Sequence, residues 1–233
     1  MRTKLTAAIA VLGCATAAAV AQAGPVPVAV YSFQTAGDVA AFKKQVGRAC
    51  TRKWHQQKAM SIGVGEGTAE CVFDTSVVAD SSDPRSDLEI AATGALGAGG
   101  DGKLRNRAFV GVAVRSSATA GYELRVFPAA GKWQVFRDPA GAAPAALVRA
   151  GQSKAIQPKK PSALLLRAFD FNTPTTTVVA RIGRQTLLSF TDAAADSPDG
   201  RRSAVAVGVK GKGSGNGVTG VFDDVAIRVP NPV

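Results

Sequence analysis

The fold of this chain is decided by its last strand-like stretch, Gly220-Val221-Phe222-Asp223-Asp224-Val225-Ala226-Ile227-Arg228-Val229. An aromatic side chain and two acids stand within an apolar alternation that stops at Pro230. Such alternation is typical of a strand with one buried face. The stretch closes a long series of similar short segments separated by Gly, Pro, Ser and Asp. It therefore predicts a final strand that returns to the sheet beside the first.

The rest of the chain contains about a dozen segments of this kind. The first covers residues 26–33, and residues 183–185 link two later segments as a short hairpin. Only residues 38–46 have helical spacing, which predicts a short helix or turn. Strong turn compositions separate four successive middle segments, residues 109–115, 122–127, 133–137 and 146–149. The sequence predicts an all-β fold, an antiparallel β-sandwich of the jelly-roll type rather than a barrel of few long strands.

The amino terminus has the three parts of a secretion signal. Two basic residues precede an Ala-rich apolar run over residues 7–20, and the small residues of a cleavage site follow at 21–23. The run is too short and too weakly hydrophobic to predict a membrane span. We therefore expect residues 1–23 to be a signal peptide, and residues 24–233 to form a single β-sandwich domain that is secreted.

The cysteines fit an exported protein. Cys14 lies in the signal, although Val11-Leu12-Gly13-Cys14 also resembles loosely the site at which bacterial lipoproteins are acylated. Removal of the signal leaves Cys50 and Cys71, which most simply form one disulfide, with two free thiols as the alternative. A zinc site needs four ligands, and His55 is the sole histidine.

The charge of the chain favours an acidic partner outside the cell. The formal net charge is +11, and loss of Arg2 and Lys4 with the signal leaves +9. Outside the cytoplasm this balance indicates acidic polysaccharides, anionic cell-envelope polymers or anionic membrane surfaces, and it makes nucleic acid a poor candidate. A role of the charge in solubility alone is the alternative.

An ordered series of motifs resembles a known family. It runs through Gly121–Val126, Lys132–Arg137, Leu164–Phe169, Ala180–Arg184, Phe190–Asp192 and Gly220–Val225. Over residues 86–229 this series resembles the concanavalin A-like, laminin G-like jelly roll of secreted bacterial proteins. The chain departs from the family's Asn-Gly hairpin at Gly183-Arg184 and has an extra loop at residues 171–175. The resemblance implies a β-sandwich but no single function, because the family contains lectins, glycan-binding modules and hydrolases.

Carboxylates suited to glycoside hydrolysis are few. The Glu-x-Asp-x-x-Glu motif of jelly-roll glucanases is absent, and the chain has only four glutamates, Glu66, Glu70, Glu89 and Glu123. Asp87 and Glu89 alternate onto one strand face and form the best pair, with Glu123 as a third acid. Acids on a solvated strand face are the ordinary alternative.

Calcium is the one cofactor for which the chain has candidate ligands. One loop carries Asp192, Asp196 and Asp199, and a second carries Asp80, Asp83 and Asp87. Carboxylate oxygens of this kind suit calcium, although Asp is also common in turns because its side chain caps them. We expect no obligatory cofactor and keep calcium as an open alternative.

Arginines give the clearest candidate ligand site. About one arginine falls on each middle strand, and Arg115 and Arg125 alternate with apolar neighbours, so both should leave the core face. Several guanidinium groups on one concave face could bind carboxylate, sulfate or phosphate, and an ordinary solvated face is the alternative. Trp133 is expected in the core, whereas Trp54 is the exposed aromatic candidate. The predicted ligand-binding residues are Trp54, Arg115, Glu123, Arg125 and Arg149.

Together these patterns predict a secreted, non-catalytic bacterial module that binds an extracellular carbohydrate or an anionic cell-envelope polymer. One alternative is a carbohydrate-active enzyme with acids around Asp87, Glu89 and Glu123. Another is a structural or protein-interaction domain without a small ligand.

Overall fold

The computed structural model describes residues 26–55, 58–78, 87–97, 102–117, 120–138, 145–170, 175–193, 196–198, 200–211 and 215–229. The predicted signal peptide lies outside these residues, so secretion stays a prediction. Within the described ranges no helix has the length and apolar character needed to cross a membrane.

The described residues form fifteen strands and two short α-helices. The first half contains β1 (Val26–Tyr31), α1 (Ala36–Ala40), β2 (Phe42–Val46), β3 (Cys50–His55), β4 (Ala59–Val64), β5 (Glu70–Val78), β6 (Leu88–Leu96), α2 (Gly102–Arg107) and β7 (Ala108–Ser116). The second half contains β8 (Gly121–Phe127), β9 (Lys132–Asp138), β10 (Ala146–Gln152), β11 (Ser162–Phe169), β12 (Thr176–Ile182), β13 (Gln185–Asp192), β14 (Arg202–Val209) and β15 (Val218–Val229).

These strands form two antiparallel sheets with the core between them. The eight-stranded sheet has the order β13-β12-β11-β6-β15-β4-β3, and β1 also pairs with β15. The seven-stranded sheet has the order β10-β9-β8-β7-β14-β5-β2. Successive hairpins join β7, β8, β9 and β10, as the turn compositions predict. The prediction of an all-β antiparallel sandwich is confirmed.

A bulge in β15 explains the two acids in its apolar alternation. Phe222 is buried, and strict alternation from it would bring Asp224 and Arg228 into the core. The register shifts between Asp223 and Ala226, where Asp224 has a φ of 49°. The extra residue places Val225 inward instead. β15 can therefore pair with β4 in its first half and, as predicted, with the first strand in its second half.

The segment over residues 38–46 is only partly helical. Helix α1 ends at Ala40, and the chain continues as strand β2, so the predicted helix is wrong over its second half. Phe42 is buried and pairs with Thr75 of β5. Pairing with a strand distant in sequence outweighs the local helical spacing here.

A disulfide links the two sheets. Cys50 on β3 of the eight-stranded sheet is bonded to Cys71 on β5 of the seven-stranded sheet. The predicted bridge is therefore confirmed. Gly47 lies beside it with a φ of +100°, and a side chain there would begin 2.3 Å from Cys50 Sγ. Only glycine fits this close turn without displacing the bridge.

Arg115 forms a second link between the sheets, and its predicted outward orientation is wrong. Its φ of 50° breaks the alternation at the end of β7, and its side chain is 1% exposed. Arg115 Nη2 lies 2.9 Å from Asp170 Oδ2, and Nη1 donates a 2.9 Å hydrogen bond to Thr176 Oγ1. Both partners belong to the opposite sheet or its adjoining loop, so the guanidinium ties the sheets together from within.

We expect loss of the disulfide to destabilise the fold. The double variant Cys50→Ala/Cys71→Ala should lower the free energy of unfolding by about 3 kcal/mol, because the unfolded chain loses a loop constraint. Denaturant unfolding of the variant and of oxidised and reduced wild-type protein measures this. Equal stability of oxidised and reduced wild type would contradict the expectation.

We expect Arg115→Met to lower the free energy of unfolding by about 3–5 kcal/mol, because it leaves the buried Asp170 carboxylate without its cation. Arg149→Met, at an exposed position, is the matched control and should change stability by about 0.5 kcal/mol or less. Chemical denaturation monitored by tryptophan fluorescence compares the two. A similar small effect of both changes would show that the buried ion pair contributes little.

Candidate functional site

The outer face of the seven-stranded sheet is hollow along its two central strands, β7 and β14. Its floor consists of the small residues Gly111, Ala113 and Ala206, which are neighbours across the sheet or along a strand. A side chain at Gly111 would begin 2.9 Å from the Leu124 carbonyl oxygen and 3.2 Å from Glu123 Oε1. The floor therefore leaves a groove into which long side chains from the flanking strands reach.

Three charged side chains meet across this floor. Arg125 on β8 lies with Nη2 2.9 Å from Glu70 Oε2 and 2.6 Å from Glu123 Oε2. Glu70 belongs to β5, which is separated from β8 by both floor strands. The contact is possible because the floor residues carry almost no side chain. We call Glu70, Glu123 and Arg125 the carboxylate cluster.

Two aromatic rings fix the guanidinium group of the cluster. Arg125 Cζ lies 4.6 Å from the ring centre of Phe109 and 4.5 Å from that of Phe136. Such contacts are favourable because the ring face is negative. Phe109 in turn lies over Gly208, where a Cβ would approach its ring to 2.8 Å. The orientation of Arg125 is therefore set by packing as well as by charge.

The electrostatics of the cluster are unusual. Burial, followed by the carboxylate of Glu123, raises the pKa of Glu70 to about 8, and Arg125 opposes that shift only partly. At neutral pH the folded protein therefore holds Glu70 mainly in its protonated form. The carboxyl groups of Glu123 and Glu70 lie within hydrogen-bonding distance of each other. The two carboxyl groups of a retaining glycosidase are farther apart, at about 5–5.5 Å.

Three buried polar atoms on this face have no hydrogen-bond partner in the described part of the chain. They are Glu123 Oε1, Arg125 Nε and Gln134 Oε1. Gln134 is the cross-strand neighbour of Arg125 on β9. Leaving a buried polar atom unsatisfied costs about 1–3 kcal/mol. These atoms therefore favour a ligand that can both donate and accept hydrogen bonds.

Two adjoining cavities open on this face. The carboxylate cavity, of about 300 Å³, is lined by the carboxylate cluster together with Gln45, Phe136, Asp138 and others. The basic cavity, of about 830 Å³, is lined by Arg107, Lys132, Lys210, Gln134, Phe127 and others. They meet where Arg125 and Gln134 face each other across neighbouring strands.

The structure brings together two of the five predicted ligand-binding residues. Glu123 and Arg125 both belong to the carboxylate cluster. Arg149 is exposed on the edge strand β10 and lines neither cavity. Trp54 is 37% exposed on the other sheet, where its Nε1 donates a 2.9 Å hydrogen bond to the Phe33 carbonyl oxygen. Arg115 is buried, so the predicted row of arginines on one face does not form.

The candidate calcium loop is organised around an arginine. Arg137 forms ion pairs with Asp192 and Asp196, and Tyr122 Oη donates a 2.7 Å hydrogen bond to Asp192. Burial and then Asp192 raise the pKa of Tyr122, which keeps its hydroxyl proton in place. The acids therefore already have a cationic partner. Asp199 of this first set lies outside the described residues. Of the second set, Asp80 and Asp83 also lie outside them, and Asp87 lies within them.

The acids of the predicted enzymatic site do not converge. Asp87 accepts a hydrogen bond from the Asp170 backbone, and Glu89 pairs with Arg228 at 2.9 Å on the eight-stranded sheet. Glu123 lies on the other sheet. Its partner acid is Glu70, which the sequence analysis did not single out. The signal for Glu70 was its outward position beside the inward Cys71, but no local spacing could relate it to Glu123.

Solved structures share this arrangement of strands. The carbohydrate-binding module CBM66 from Bacillus subtilis aligns with a TM-score of 0.53 and 12% identity, covering 81% of this chain and 95% of its own. The CBM2 module of the evolved Dit protein of Lactobacillus casei BL23 phage J-1 aligns with a TM-score of 0.57 and 8% identity, covering 89% and 97%. The fold is a jelly-roll β-sandwich.

An enzyme shares the same fold. The endo-1,3-beta-glucanase from Streptomyces sioyaensis aligns with a TM-score of 0.55 and 8% identity, covering 78% of this chain and 79% of its own. No protein-family model matches the chain, and no curated protein resembles it in sequence. At these identities the likeness shows the fold alone.

We expect the pKa of Glu70 to make stability depend on pH. The pKa is about 8 in the folded protein and 4.5 ordinarily, so between these values the folded state holds a proton that the unfolded chain has released. Stability is then highest at low pH within this window and falls as pH rises through about 8. Glu70→Gln should flatten this fall, as measured by denaturant unfolding at about pH 5, 7 and 9. Glu66→Gln, at an exposed turn position, should keep the wild-type slope, and an unchanged slope in Glu70→Gln would contradict the assignment.

Proposed function

We propose that this protein is a secreted, non-catalytic module that binds an extracellular carbohydrate in the groove of its seven-stranded sheet. The observation that carries the proposal is the pair of buried atoms Glu123 Oε1 and Arg125 Nε, which have no hydrogen-bond partner among the described residues. One is an acceptor and the other a donor, and both belong to side chains that line the carboxylate cavity. Sugar hydroxyl groups both donate and accept hydrogen bonds, so they match this pair.

The geometry of the cluster suits recognition of a polar ring. Arg125 is held between two aromatic rings and two carboxyl groups, so little side-chain entropy is lost when a ligand binds. The carboxyl group of Glu123 can accept a hydrogen bond from a sugar hydroxyl group. Two solved structures of the same fold are carbohydrate-binding modules, which supports this proposal. The signal-like sequence of residues 1–23 supports an extracellular partner.

The enzymatic alternative has one observation in its favour, namely a protonated Glu70 beside the acidic Glu123. A glycosidase needs such an acid and a second carboxylate. Here, however, the two carboxyl groups contact each other and share Arg125, which leaves no room between them for a glycosidic bond. Binding without hydrolysis therefore fits the geometry better.

We expect the mature protein to be retained on at least one member of a panel of insoluble neutral and acidic polysaccharides and cell wall. Glu123→Gln should weaken that retention about tenfold or more, because it removes a charged acceptor from the groove. The matched control Glu66→Gln should bind as wild type does. Depletion assays give the dissociation constants, and circular dichroism verifies the fold of each variant.

The same incubations test the alternatives. Release of new reducing ends by the wild type, lost in Glu70→Gln, would establish hydrolysis and overturn the non-catalytic proposal. No retention on any polymer would remove carbohydrate binding altogether and favour a protein partner.

A further inference from the structure

The basic cavity differs in charge from the rest of the groove. Its lining includes Arg107, Lys132 and Lys210, and no acidic side chain lines it in the described part of the chain. The Arg107 Nε donates a 3.0 Å hydrogen bond to the Lys210 carbonyl oxygen, which holds two of these residues together. Positive groups that line a concave surface concentrate their field there.

The lysines of the basic cavity differ from several arginines of the chain in forming no ion pair among the described residues. The salt bridges found among the described residues use the guanidinium groups of Arg115, Arg125, Arg137, Arg202 and Arg228. Lys132 and Lys210 take part in none of them. Within the part of the chain that the structure describes, no carboxylate therefore pairs with these two lysines.

A buried amide faces the same cavity. Gln134 is 6% exposed and lines the cavity, and its Oε1 has no hydrogen-bond partner in the described residues. The cavity thus combines positive charge with a buried acceptor that requires a donor such as a hydroxyl group. An anion without a proton, such as sulfate, could satisfy the lysines but could not donate to Gln134 Oε1. A sugar that carries an oxyanion can satisfy both.

The basic surface extends beyond this cavity. A neighbouring cavity of about 660 Å³ shares Asn106 and Ala129 with it and adds Lys103 and Arg105. On the opposite side, Gln134 adjoins Arg125 of the carboxylate cavity. The groove therefore passes from an acidic end to a basic end along one face, so a chain of several sugars could contact both.

We propose that the basic cavity binds an oxyanion-bearing sugar unit, with the anion at Lys132 and Lys210 and a hydroxyl group donating to Gln134 Oε1. This inference rests on the proposed carbohydrate binding in the same groove. It assigns the two ends different tasks: the carboxylate cluster binds sugar hydroxyls, and the basic cavity selects acidic glycans. Carboxylate, sulfate and phosphate share the required chemistry.

The test compares acidic polymers with neutral counterparts of the same backbone where these exist. Polygalacturonate is compared with its methyl ester, and dextran with dextran sulfate, while teichoic acid serves as the phosphate probe. Wild-type protein should bind at least one acidic polymer about tenfold more tightly than its neutral counterpart, and added salt should weaken this preference. The ratio of binding to each acidic polymer over its neutral counterpart compares carboxylate with sulfate, and teichoic acid tests phosphate.

Two double variants with the same change in net charge show which surface causes the preference for acidic polymers. Lys132→Glu/Lys210→Glu should abolish the preference for the acidic polymer. Lys53→Glu/Arg184→Glu makes the same change in net charge at exposed positions of the other sheet and should retain the preference. Gln134→Leu should weaken binding of the acidic polymer while the lysines remain. Circular dichroism verifies that each variant is folded.

The outcomes separate this inference from the proposed function. Binding of neutral polymers without a preference for acidic ones would overturn the inference and leave carbohydrate binding intact. Equal losses in the two charge-reversal variants would overturn it too, because the effect would then come from net charge. Failure of the wild type to bind any polymer would overturn both proposals.

Discussion

The small residues at the centre of the seven-stranded sheet are the constraint on which the candidate site depends. Gly111, Ala113 and Ala206 leave the outer face hollow, so Glu70 and Arg125 meet across two intervening strands. Larger side chains there would fill the groove and separate the charged groups. Glu123 Oε1 lies beside Gly111 and has no hydrogen-bond partner among the residues that the structure describes. The small floor residues thus account both for the meeting of the charged groups and for the position of Glu123 Oε1.

Burial and ion pairing, more than the composition of the chain, decide which charged groups a ligand would meet. The chain is strongly basic, yet Arg115 is enclosed by acids in the interior and Arg125 by acids in the groove. Pairing removes these guanidinium groups from the field that a ligand would meet. Lys132 and Lys210 of the basic cavity, like the other lysines of the described residues, take part in no salt bridge. The net charge therefore indicates the sign of a partner but not the residues that bind it.

Much of the fold could be predicted because it follows from local patterns. Alternating strands, turn compositions and two cysteines led to the antiparallel sandwich, the middle hairpins and the Cys50–Cys71 bridge. The failures occurred where backbone or pairing broke the local rule. Arg115 itself has a left-handed backbone conformation, which turns its side chain inward. Pairing with β5 makes the segment after Ala40 a strand. The candidate site was only half predicted, because Glu123 and Arg125 alternate visibly outward while Glu70 is remote in sequence.

The sequence by itself determined the class of this protein: the strand pattern, the disulfide, the positive charge and the expectation of export. The strand pattern depends on a spacing of two positions within each segment, whereas the other properties follow from which residue types the chain contains. The tertiary structure alone decided which charges are paired, which sheet is hollow and which acids meet. Those outcomes depend on sheet order and on bulges that shift a strand by one residue. A shift of that size exchanges the buried face for the exposed one, and no local pattern records it.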